Sequence, residues 1–410
     1  MKRVSVIGVG YIGLPIAGIL ASNGFEVLAV DTDPGVIDKL LSRNFSFIEP
    51  GLNEILVNAL NSGNLTASTK PMKSDVFIIA VPTPFKEKHL SDLKFVNSAI
   101  DSIIPYLESG NLVIIESTVP IGTTEDISKI IEAKRPDLSN EDSGNSIFLA
   151  HCPERVLPGQ ILKELVENSR IIGGVDSAST AQALGFYKIF VTGELYATNS
   201  KTAELSKLAE NTYRDVNIAL ANEFSLVCKD NSIDVWEMIG LANRHPRVNI
   251  LNPGPGVGGH CIAVDPWFII ENSPEKTKLM RTAREINESI PLRVVDEISV
   301  LADKLKSPII ACLGLTYKAN VSDYRESPSL EIVKKLAKKS NYKILVVEPN
   351  VEQVDLLFHT YRNVQTRNLE DAIYEADILL VLVGHSQFIK IDKSKIIGKI
   401  VVDKVGIWRE

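Results

Sequence analysis

Two places in the 410-residue sequence combine residue types and spacing that could support chemistry. The first is Lys207 with Asn211, four residues apart in a stretch, 200–230, that contains no glycine or proline; a helix there places both on one face. A lysine beside an alcohol can stabilise developing negative charge or exchange protons, and an asparagine can hold a water molecule or a substrate oxygen. The alternative is an ordinary solvated helix face, since Glu204 and Glu210 lie nearby.

The second place is a cysteine that follows a cluster of glycines. The segment from Gly256 to Asp265 reads GVGGHCIAVD. Three glycines predict a loop whose backbone must approach a ligand closely, which makes Cys261 a candidate nucleophile, with Asp265 one helical turn further on. The alternative is a small buried hydrophobic residue, which is what we expect of the other three cysteines.

Composition limits the setting of this chemistry. The net charge is −7, which argues against nucleic acid or an anionic membrane as the main partner. The four cysteines lack metal-ligand spacing, so no metal site is expected. The start, Met1-Lys2-Arg3, lacks the apolar run of a signal peptide, and no apolar run approaches the roughly 20 residues that span a bilayer. We therefore expect a cytoplasmic protein with no membrane segment.

Short apolar runs predict the scaffold that positions these residues. The runs alternate with helical patterns before residue 190 and again after Pro308, and continuous apolar runs are typical of parallel strands buried on both faces. The fold class predicted is α/β, with two Rossmann-like doubly wound parallel-sheet domains joined by a long-helix central segment. The predicted strands are Arg3–Ile7, Glu26–Val30, Val76–Val81, Leu112–Glu116, Ile147–Ala150, Ile309–Leu313, Lys343–Val347, Ile378–Val383 and Lys399–Asp403.

Domain boundaries follow from where this pattern changes. We predict an N-terminal domain over 1–198, a helical central segment over 199–306 and a second α/β domain over 307–410. The central segment contains the long helix over 200–230 and a second helical region over 275–306, in which Pro291 should introduce a kink. A cleft between the two α/β domains is the natural place for two ligands to meet.

A glycine pattern after the first strand indicates a dinucleotide. Gly8, Gly10 and Gly13 have the G-x-G-x-x-G spacing, which allows a tight turn, close approach to a pyrophosphate and close helix–strand packing. Asp31 ends the second strand about 20 residues later, where it would bind a ribose diol and repel a 2′-phosphate, favouring NAD over NADP. Asp33 is a competing ribose contact or a turn residue. The alternative is a glycine-rich turn with no dinucleotide.

Further motifs follow one another in a recognisable order. They are Gly8–Leu14, Val81–Pro84, Ser117–Pro120, Pro153–Glu154, Lys207–Asn211, Gly258–Cys261, Gly314–Lys318 and Asp323–Pro328. With these motifs the chain resembles the nucleotide-sugar 6-dehydrogenases, the UDP-glucose/GDP-mannose dehydrogenase family, along nearly its whole length. The segment Glu49–Leu52 also matches the family, but the sequence suggests no physical reason for it.

The resemblance implies a four-electron oxidation of a sugar CH₂OH group to a carboxylate with two NAD⁺. Cys261 would capture the aldehyde as a thiohemiacetal, which a second hydride transfer turns into a thioester. Lys207, Asn211 and Asp265 would serve the alcohol step and the later hydrolysis. The C-terminal domain would hold the UDP of a UDP-sugar, and the central segment would form a homodimer or a higher homo-oligomer.

The same resemblance implies the remaining site residues. Water that releases the acid would be positioned by Thr118, Glu154 or Asp265. The implied cofactor contacts are Gly8, Gly10, Tyr11, Ile12, Gly13, Asp31, Pro82, Thr83, Ser117, Thr118 and, at the pyrophosphate, Arg325. The implied substrate contacts are Arg155, Val156, Lys207, Asn211, Arg214, Arg244, Arg247, Gly258, Tyr317 and Lys318.

Two departures from the family pattern bear on the sugar. Many UDP-glucose enzymes have a second glutamate where this chain has Pro158, and a lysine where it has Val264. These segments, and the segment 243–249, resemble the branch that acts on UDP-N-acetyl-D-mannosamine. An arginine of 243–249 would reach the neighbouring subunit's substrate, and we favour Arg244 over Arg247. The missing glutamate argues against a two-glutamate hydrolysis.

Three other functions remain as alternatives. A UDP-N-acetylglucosamine 6-dehydrogenase would act on a sugar that differs at C2, a small difference that sequence motifs do not settle, and a UDP-glucose 6-dehydrogenase is the related alternative. A two-electron β-hydroxyacid dehydrogenase would share the first domain and the Lys–Asn helix, but not the cysteine loop or the second α/β domain. A non-catalytic NAD-binding sensor would have no need of an intact Lys207, Asn211, Cys261 and Asp265.

Overall fold

The first half of the chain forms an eight-stranded sheet in the order β10-β9-β8-β5-β4-β1-β2-β3. Neighbouring strands are parallel except for the antiparallel pair β8–β9. The computed structural model describes residues 2–45, 49–86, 89–140, 145–157, 159–339 and 341–408. The strands are β1 (Arg3–Ile7), β2 (Glu26–Val30), β3 (Leu65–Ser68), β4 (Val76–Ile79), β5 (Leu112–Ile115), the short β6 (Ser139–Asn140) and β7 (Asn145–Ser146), which form a separate two-stranded sheet, β8 (Phe148–His151), β9 (Arg170–Gly174) and β10 (Leu195–Asn199).

Alternate residues of the central strands point into two different apolar cores, one on each face of this sheet. In β4, Val76 and Ile78 belong to one core, and Phe77 and Ile79 belong to the other. All four side chains are fully buried. Burial on both faces is the reason that these strands are continuously apolar in the sequence.

A five-stranded parallel sheet forms in the second half, in the order β13-β12-β11-β14-β15. Its strands are β11 (Ile309–Leu313), β12 (Lys343–Val347), β13 (Val364–Thr366), β14 (Ile378–Val381) and β15 (Ile400–Asp403). The two doubly wound α/β sheets are confirmed, and predicted strand ends differ from those observed by at most two residues. Strands β3, β9, β10 and β13 were not predicted, because β3, β10 and β13 carry polar or exposed positions and β9 ends in two glycines.

The helices connect these strands. They are α1 (Gly13–Ser22), α2 (Pro34–Leu41), α3 (Leu52–Ser62), α4 (Lys94–Ile103), α5 (Thr123–Lys134), α6 (Ile161–Glu167), α7 (Ser177–Tyr187), α8 (Ser200–Asp230), α9 (Val235–Ala242), α10 (Asp265–Asn272), α11 (Lys278–Ala302), α12 (Pro328–Ala337), α13 (Leu369–Glu375) and α14 (Ser386–Ile389). The long helix predicted from the absence of glycine and proline is α8. Helix α11 continues through Pro291. Nowhere in the described ranges does a helix combine the length and apolarity needed to cross a membrane.

Two compact units divide the chain. The first comprises Met1–Glu210 and Trp267–Ser273, and the second comprises Asn211–Pro266 and Pro274–Glu410. The boundaries predicted at residues 198 and 306 stay a prediction. Pro158, one of the two departures from the family pattern noted in the sequence, lies outside the described residues.

Candidate functional site

The glycine-rich turn of the first unit has the geometry that a pyrophosphate requires. Gly8 follows β1 with a φ of +89°, and its N–H donates to the Val30 carbonyl at 2.8 Å. A Cβ on Gly13 would lie 1.9 Å from the Gly8 carbonyl oxygen, so helix α1 can pack this closely only with glycine. A Cβ on Gly10 would meet nothing within 4 Å. The space above Gly10 is therefore open in front of the α1 N-terminus, where a dinucleotide phosphate binds.

Asp31 at the end of β2 is oriented by this turn. Its Oδ2 accepts from the Val9 N–H at 3.2 Å, and its Oδ1 accepts from the Asp33 N–H at 3.0 Å. Asp33 instead caps helix α2, because its Oδ1 accepts from the Gly35 N–H at 2.8 Å. The geometry therefore favours Asp31 over Asp33 as the ribose ligand, and the residues of this turn fit NAD.

Ser117 holds together two loops at the carboxyl ends of β4 and β5. Its hydroxyl donates to the Val81 carbonyl at 2.7 Å and accepts from the Val81 N–H at 2.9 Å. The first loop continues into Pro82 and Thr83, and the second into Thr118. Because ligands of parallel sheets bind outside the carboxyl ends of the strands, these loops lie at the expected edge.

Glu154 is a carboxyl group of the first unit whose pKa is raised. It follows β8 in a half-buried position, and burial raises its pKa from 4.5 to about 7, against the Val156 N–H bond and the positive charges of Arg170 and Lys207, which lower it. Burial also lowers the pKa of His151 to about 3, so this imidazole is neutral. A carboxyl group with a pKa near 7 can take up and release a proton at neutral pH.

Lys207 and Asn211 are both buried, with 7% and 4% of their surfaces exposed. The alternative of a solvated helix face is therefore wrong. In the second unit, Asn211 donates through Nδ2 to the Asp265 carboxylate and accepts through Oδ1 from Arg214. Since Arg214 can only donate, these contacts define which end of the Asn211 amide faces Asp265.

Cys261 lies four residues before the first residue of helix α10, and its carbonyl accepts from the Asp265 N–H at 2.9 Å in the turn that leads into this helix. Cys261 is the exposed cysteine, whereas Cys152, Cys228 and Cys312 are buried. Burial raises the pKa of Cys312 to about 12 and that of Cys152 above its ordinary value. The alternative of a buried hydrophobic residue is therefore wrong for Cys261 and is confirmed for Cys228 and Cys312. Cys152 is buried as well, but its sulfur accepts from Arg170 at 3.7 Å.

The glycines before Cys261 let its loop lie directly against the segment that follows β11. A Cβ on Gly258 would be 2.4 Å from the Glu326 carbonyl oxygen, and one on Gly259 would be 3.0 Å from the Tyr317 ring. Gly259 also has a φ of +82°. The close approach required of these glycines is thus an approach to the protein's own segment, which brings Tyr317 beside the cysteine loop.

The predicted arginine and lysine contacts have different surroundings. Arg155 donates to Glu210 at 2.5 Å and to the Ser169 carbonyl at 2.8 Å. Arg325 donates through two nitrogens to Asp323, at 2.9 and 2.8 Å. Arg325 is nevertheless exposed, as are Lys318, Arg214, Arg244 and Arg247, whereas Arg155 is half-buried.

Glu49 is a functional candidate for which the sequence suggested no physical reason. It is buried, its Oε2 accepts from the Gly159 N–H at 2.8 Å, and its Oε1 accepts from the Ile161 N–H at 2.7 Å. Glu49 therefore fastens the start of α6, directly after the loop that carries Glu154 and Val156. The only available signal was the family match of its segment.

A buried polar network that the sequence did not indicate supports the cysteine loop. Arg284 of α11 donates to Asp215 of α8 at 2.6 Å, and Asn287 donates to the same carboxylate at 2.8 Å. Asn222 joins Asn287 to the Gly254 N–H with two bonds of 3.0 Å. Charges on helices are usually solvated, so nothing in the sequence marked these as buried.

Family models account for all three parts of the chain. The NAD-binding domain, the central domain and the UDP-binding domain of the UDP-glucose/GDP-mannose dehydrogenase family match residues 2–191, 201–289 and 311–410. The chain belongs to this family. The match to the NAD-binding domain agrees with the geometry of the glycine-rich turn, so the cofactor of this chain is NAD.

Several members of the UDP-glucose/GDP-mannose dehydrogenase family are similar over their full length. The UDP-N-acetyl-D-mannosamine dehydrogenase of Campylobacter jejuni is 49% identical, over 97% of this chain and 98% of that protein. The NDP-N-acetyl-D-galactosaminuronic acid dehydrogenase of Ralstonia nicotianae is 47% identical, over 99% and 96%. A structure of UDP-D-ManNAc dehydrogenase from Pyrococcus horikoshii has a TM-score of 0.90 and 39% identity, over 100% and 96%. The functions of individual site residues stay predictions.

Proposed function

We propose that this family member oxidises C6 of UDP-N-acetyl-D-mannosamine to the carboxylate, forming UDP-N-acetyl-D-mannosaminuronate and reducing two NAD⁺ for each sugar. The observation that carries the proposal is an exposed Cys261 one helical turn before a buried Asp265 that is bonded to Asn211. A two-electron alcohol dehydrogenase has no need of a thiol beside its polar residues. The sugar is inferred from the names of the Campylobacter and Pyrococcus relatives.

The first oxidation uses the polar residues of α8. NAD bound at the glycine-rich turn supplies the hydride acceptor for both oxidations. Lys207, buried and cationic, stabilises the negative charge that develops on the C6 oxygen as its proton passes to water. Asn211, whose amide is oriented by Asp265 and Arg214, holds that oxygen in place.

The second oxidation uses the thiol. The sulfur of Cys261 adds to the C6 carbonyl carbon, and the oxygen takes up a proton, so the aldehyde becomes a thiohemiacetal and cannot leave. Loss of hydride from C6 and of the hydroxyl proton then leaves a thioester. Water attacks this thioester, the C–S bond breaks, the leaving sulfur takes up a proton to regenerate the Cys261 thiol, and the uronate is released.

Glu154 is the group we assign to the water. A carboxyl group with a pKa of about 7 accepts a proton from water as the attack proceeds and returns it afterwards. Thr118, in the loop held by Ser117, and Asp265 are the other candidates for positioning the water. With Glu154 activating the water, the hydrolysis needs one glutamate instead of two.

We further propose that the protein is a cytoplasmic homodimer formed through α8. Tyr213, Leu220 and Val227 recur at seven-residue steps on this helix, and 56%, 42% and 57% of their surfaces are exposed. An exposed apolar stripe at this spacing is typical of helix–helix association. Arg244 and Arg247 lie on an exposed loop closed at its base by Asn243, which supports the assignment of one of them, with Arg244 preferred, to the neighbouring subunit's substrate.

The Ralstonia relative favours a second candidate sugar, N-acetylgalactosamine. Initial rates with the UDP derivatives of N-acetylmannosamine, N-acetylglucosamine, N-acetylgalactosamine and glucose decide between them. We expect the highest kcat/KM for UDP-N-acetylmannosamine, and we expect two NADH to form for each sugar that is consumed. A higher kcat/KM for another sugar would overturn the sugar assignment, and one NADH per sugar would overturn the four-electron reaction.

A further inference from the structure

The second sheet opens with the same turn as the first. Gly314 follows β11 with a φ of +94°, and its N–H donates to the Val347 carbonyl at 2.9 Å, as the Gly8 N–H does to Val30. A Cβ on Gly314 would lie 2.4 Å from the Cβ of Val383. Both turns therefore begin with a glycine at a positive φ, a backbone conformation that residues with a Cβ rarely adopt.

An acidic residue also ends the second strand of each sheet, but its surroundings differ. Glu348 follows β12, and its Oε2 accepts from the Leu315 N–H at 2.7 Å, the Thr316 N–H at 3.3 Å and His385 Nε2 at 3.2 Å. Its Oε1 accepts from the Asn350 N–H at 2.8 Å. This fully buried carboxylate has four protein donors and cannot also receive a ribose diol.

His385 completes the arrangement from the N-terminal end of α14. Its ring is fully buried, and Nδ1 accepts from the Asn320 N–H at 3.0 Å and lies 2.8 Å from Asn350 Nδ2. A backbone N–H can only donate, so Nδ1 carries no proton, and the hydrogen on Nε2 is donated to Glu348. His385 thus joins Glu348 to the far end of the segment 315–320.

The segment between these attachment points carries the predicted nucleotide contacts. Glu348 binds its first two N–H groups, His385 binds its last, and the Thr316 hydroxyl donates to the Lys318 carbonyl at 2.8 Å. Tyr317 and Lys318 lie between, half-buried and exposed. The segment lies at the carboxyl ends of the strands, where ligands of doubly wound sheets bind.

We propose that His385, with Glu348, is a positioning residue for the nucleotide of the substrate. The pair holds residues 315–320 in the conformation in which Tyr317 and Lys318 receive the UDP. The inference rests on the proposed function for its substrate. It predicts that loss of His385 weakens binding of the UDP-sugar and leaves binding of NAD to the first unit unchanged.

Two substitutions test this step with the full-length enzyme. His385→Phe keeps a ring but removes both hydrogen-bonding nitrogens, and His385→Asn keeps an acceptor near Nδ1 and loses the donor to Glu348. We expect KM for the UDP-sugar to rise about tenfold in the first and less in the second, since buried groups are left unpaired. KM for NAD and kcat should stay within about twofold, because those steps use other residues. Amide hydrogen exchange of 315–320 should accelerate in both.

A matched control separates positioning from general stability. Tyr342 is buried just before β12, at the opposite end of the same sheet, and its hydroxyl donates to Asp303 at 2.6 Å. Tyr342→Phe should lower Tm and leave KM for the UDP-sugar unchanged. If the His385 variants behave in the same way, His385 is only structural and the proposal is overturned.

Calorimetric binding of UDP alone makes the test independent of the reaction. If the unsubstituted enzyme oxidises no UDP-sugar, the proposed function fails, yet weaker UDP binding by the His385 variants still supports the positioning. Equal UDP affinity in the variants and the unsubstituted enzyme overturns it. If His385→Phe does not fold, His385→Asn carries the same comparison.

Discussion

Replacing Glu154 by glutamine should stabilise the protein at alkaline pH while impairing its reaction. Burial raises the pKa of this carboxyl group from 4.5 to about 7. A raised pKa means that the folded state binds the proton more tightly than the unfolded state. The destabilisation is therefore absent below pH 4.5, grows as the pH rises to 7, and is complete above it. Glutamine, which is never charged, removes it.

The size of the effect follows from the size of the pKa change. At about 1.4 kcal/mol for each pKa unit, the ionised Glu154 costs at most about 3.5 kcal/mol. The side chain keeps some contact with solvent, so we expect about 2 kcal/mol. For a domain of roughly 150–250 residues, each kcal/mol of unfolding free energy moves Tm by roughly 2–4 °C. Glu154→Gln should thus raise Tm by about 4–8 °C at pH 8.5 and by about 0 °C at pH 4.5.

Thermal unfolding between pH 4.5 and 9 measures the first part of this prediction. The exposed carboxylate Glu352, replaced by glutamine, is the control and should show no such divergence. A Tm difference between Glu154→Gln and the unsubstituted protein that stays constant across this range would refute the reasoning. It would mean that the ionised carboxylate of Glu154 does not destabilise the folded protein at high pH.

The reaction rate measures the second part. If Glu154 activates the water, kcat of the unsubstituted enzyme falls as the pH drops below 7 and the carboxylate becomes protonated. Glu154→Gln should lower kcat by about 100-fold and accumulate the thioester on the enzyme. A flat pH–rate profile from 5.5 to 8, or rapid product release by the variant, would remove Glu154 from the hydrolysis.

Three further substitutions address other parts of the site. Cys261→Ala should abolish uronate formation and leave NAD binding, measured by calorimetry, unchanged. Asp31→Asn should raise KM for NAD about tenfold and reduce the preference of the enzyme for NAD over NADP, because a charged acceptor for the ribose is lost. Glu49→Gln should leave one of the Gly159 and Ile161 N–H groups unpaired, lower the free energy of unfolding by about 1–3 kcal/mol, and reduce kcat/KM for the UDP-sugar.

Each of these has a control or an outcome that contradicts it. Normal turnover by Cys261→Ala would exclude the thioester. Asp33→Asn should leave KM for NAD unchanged, since asparagine caps a helix as well as aspartate does, and a rise equal to that of Asp31→Asn would contradict our assignment of the ribose ligand. Glu54→Gln alters an exposed carboxylate at the start of α3, so it should not affect kcat/KM.

Much of the fold could be predicted because the signals are local. Strands β1, β2, β11 and β12 were predicted with their observed ends, since in each of them every residue after the first is buried and nearly all of these residues are apolar. Helix α8 was predicted from the absence of glycine and proline over its whole length. The edge strand β10 was missed, because its exposed side chains Tyr196 and Ala197 follow no apolar pattern.

Less of the site could be predicted, because its properties depend on partners far away in the sequence. Spacing alone left Lys207 on either a buried or a solvated helix face, and only packing shows that it is buried. Glu49 contacts a residue 112 positions later, and Arg284 pairs with a carboxylate 69 positions earlier. No local pattern reports contacts at such separations.

By itself, then, the sequence determined the two parallel sheets, the glycine-rich turn with Asp31, the cysteine loop and, through ordered motifs, the family and NAD. These depend on strand periodicity, on glycine's freedom at positive φ and on short spacings, which are properties of neighbouring residues. Only the tertiary structure decided that Glu154 holds its proton up to neutral pH and that Glu348 binds His385 instead of remaining open to a ribose. The physical reason is that exclusion of water and the sharing of hydrogen-bond donors arise between segments that meet only when the chain is folded.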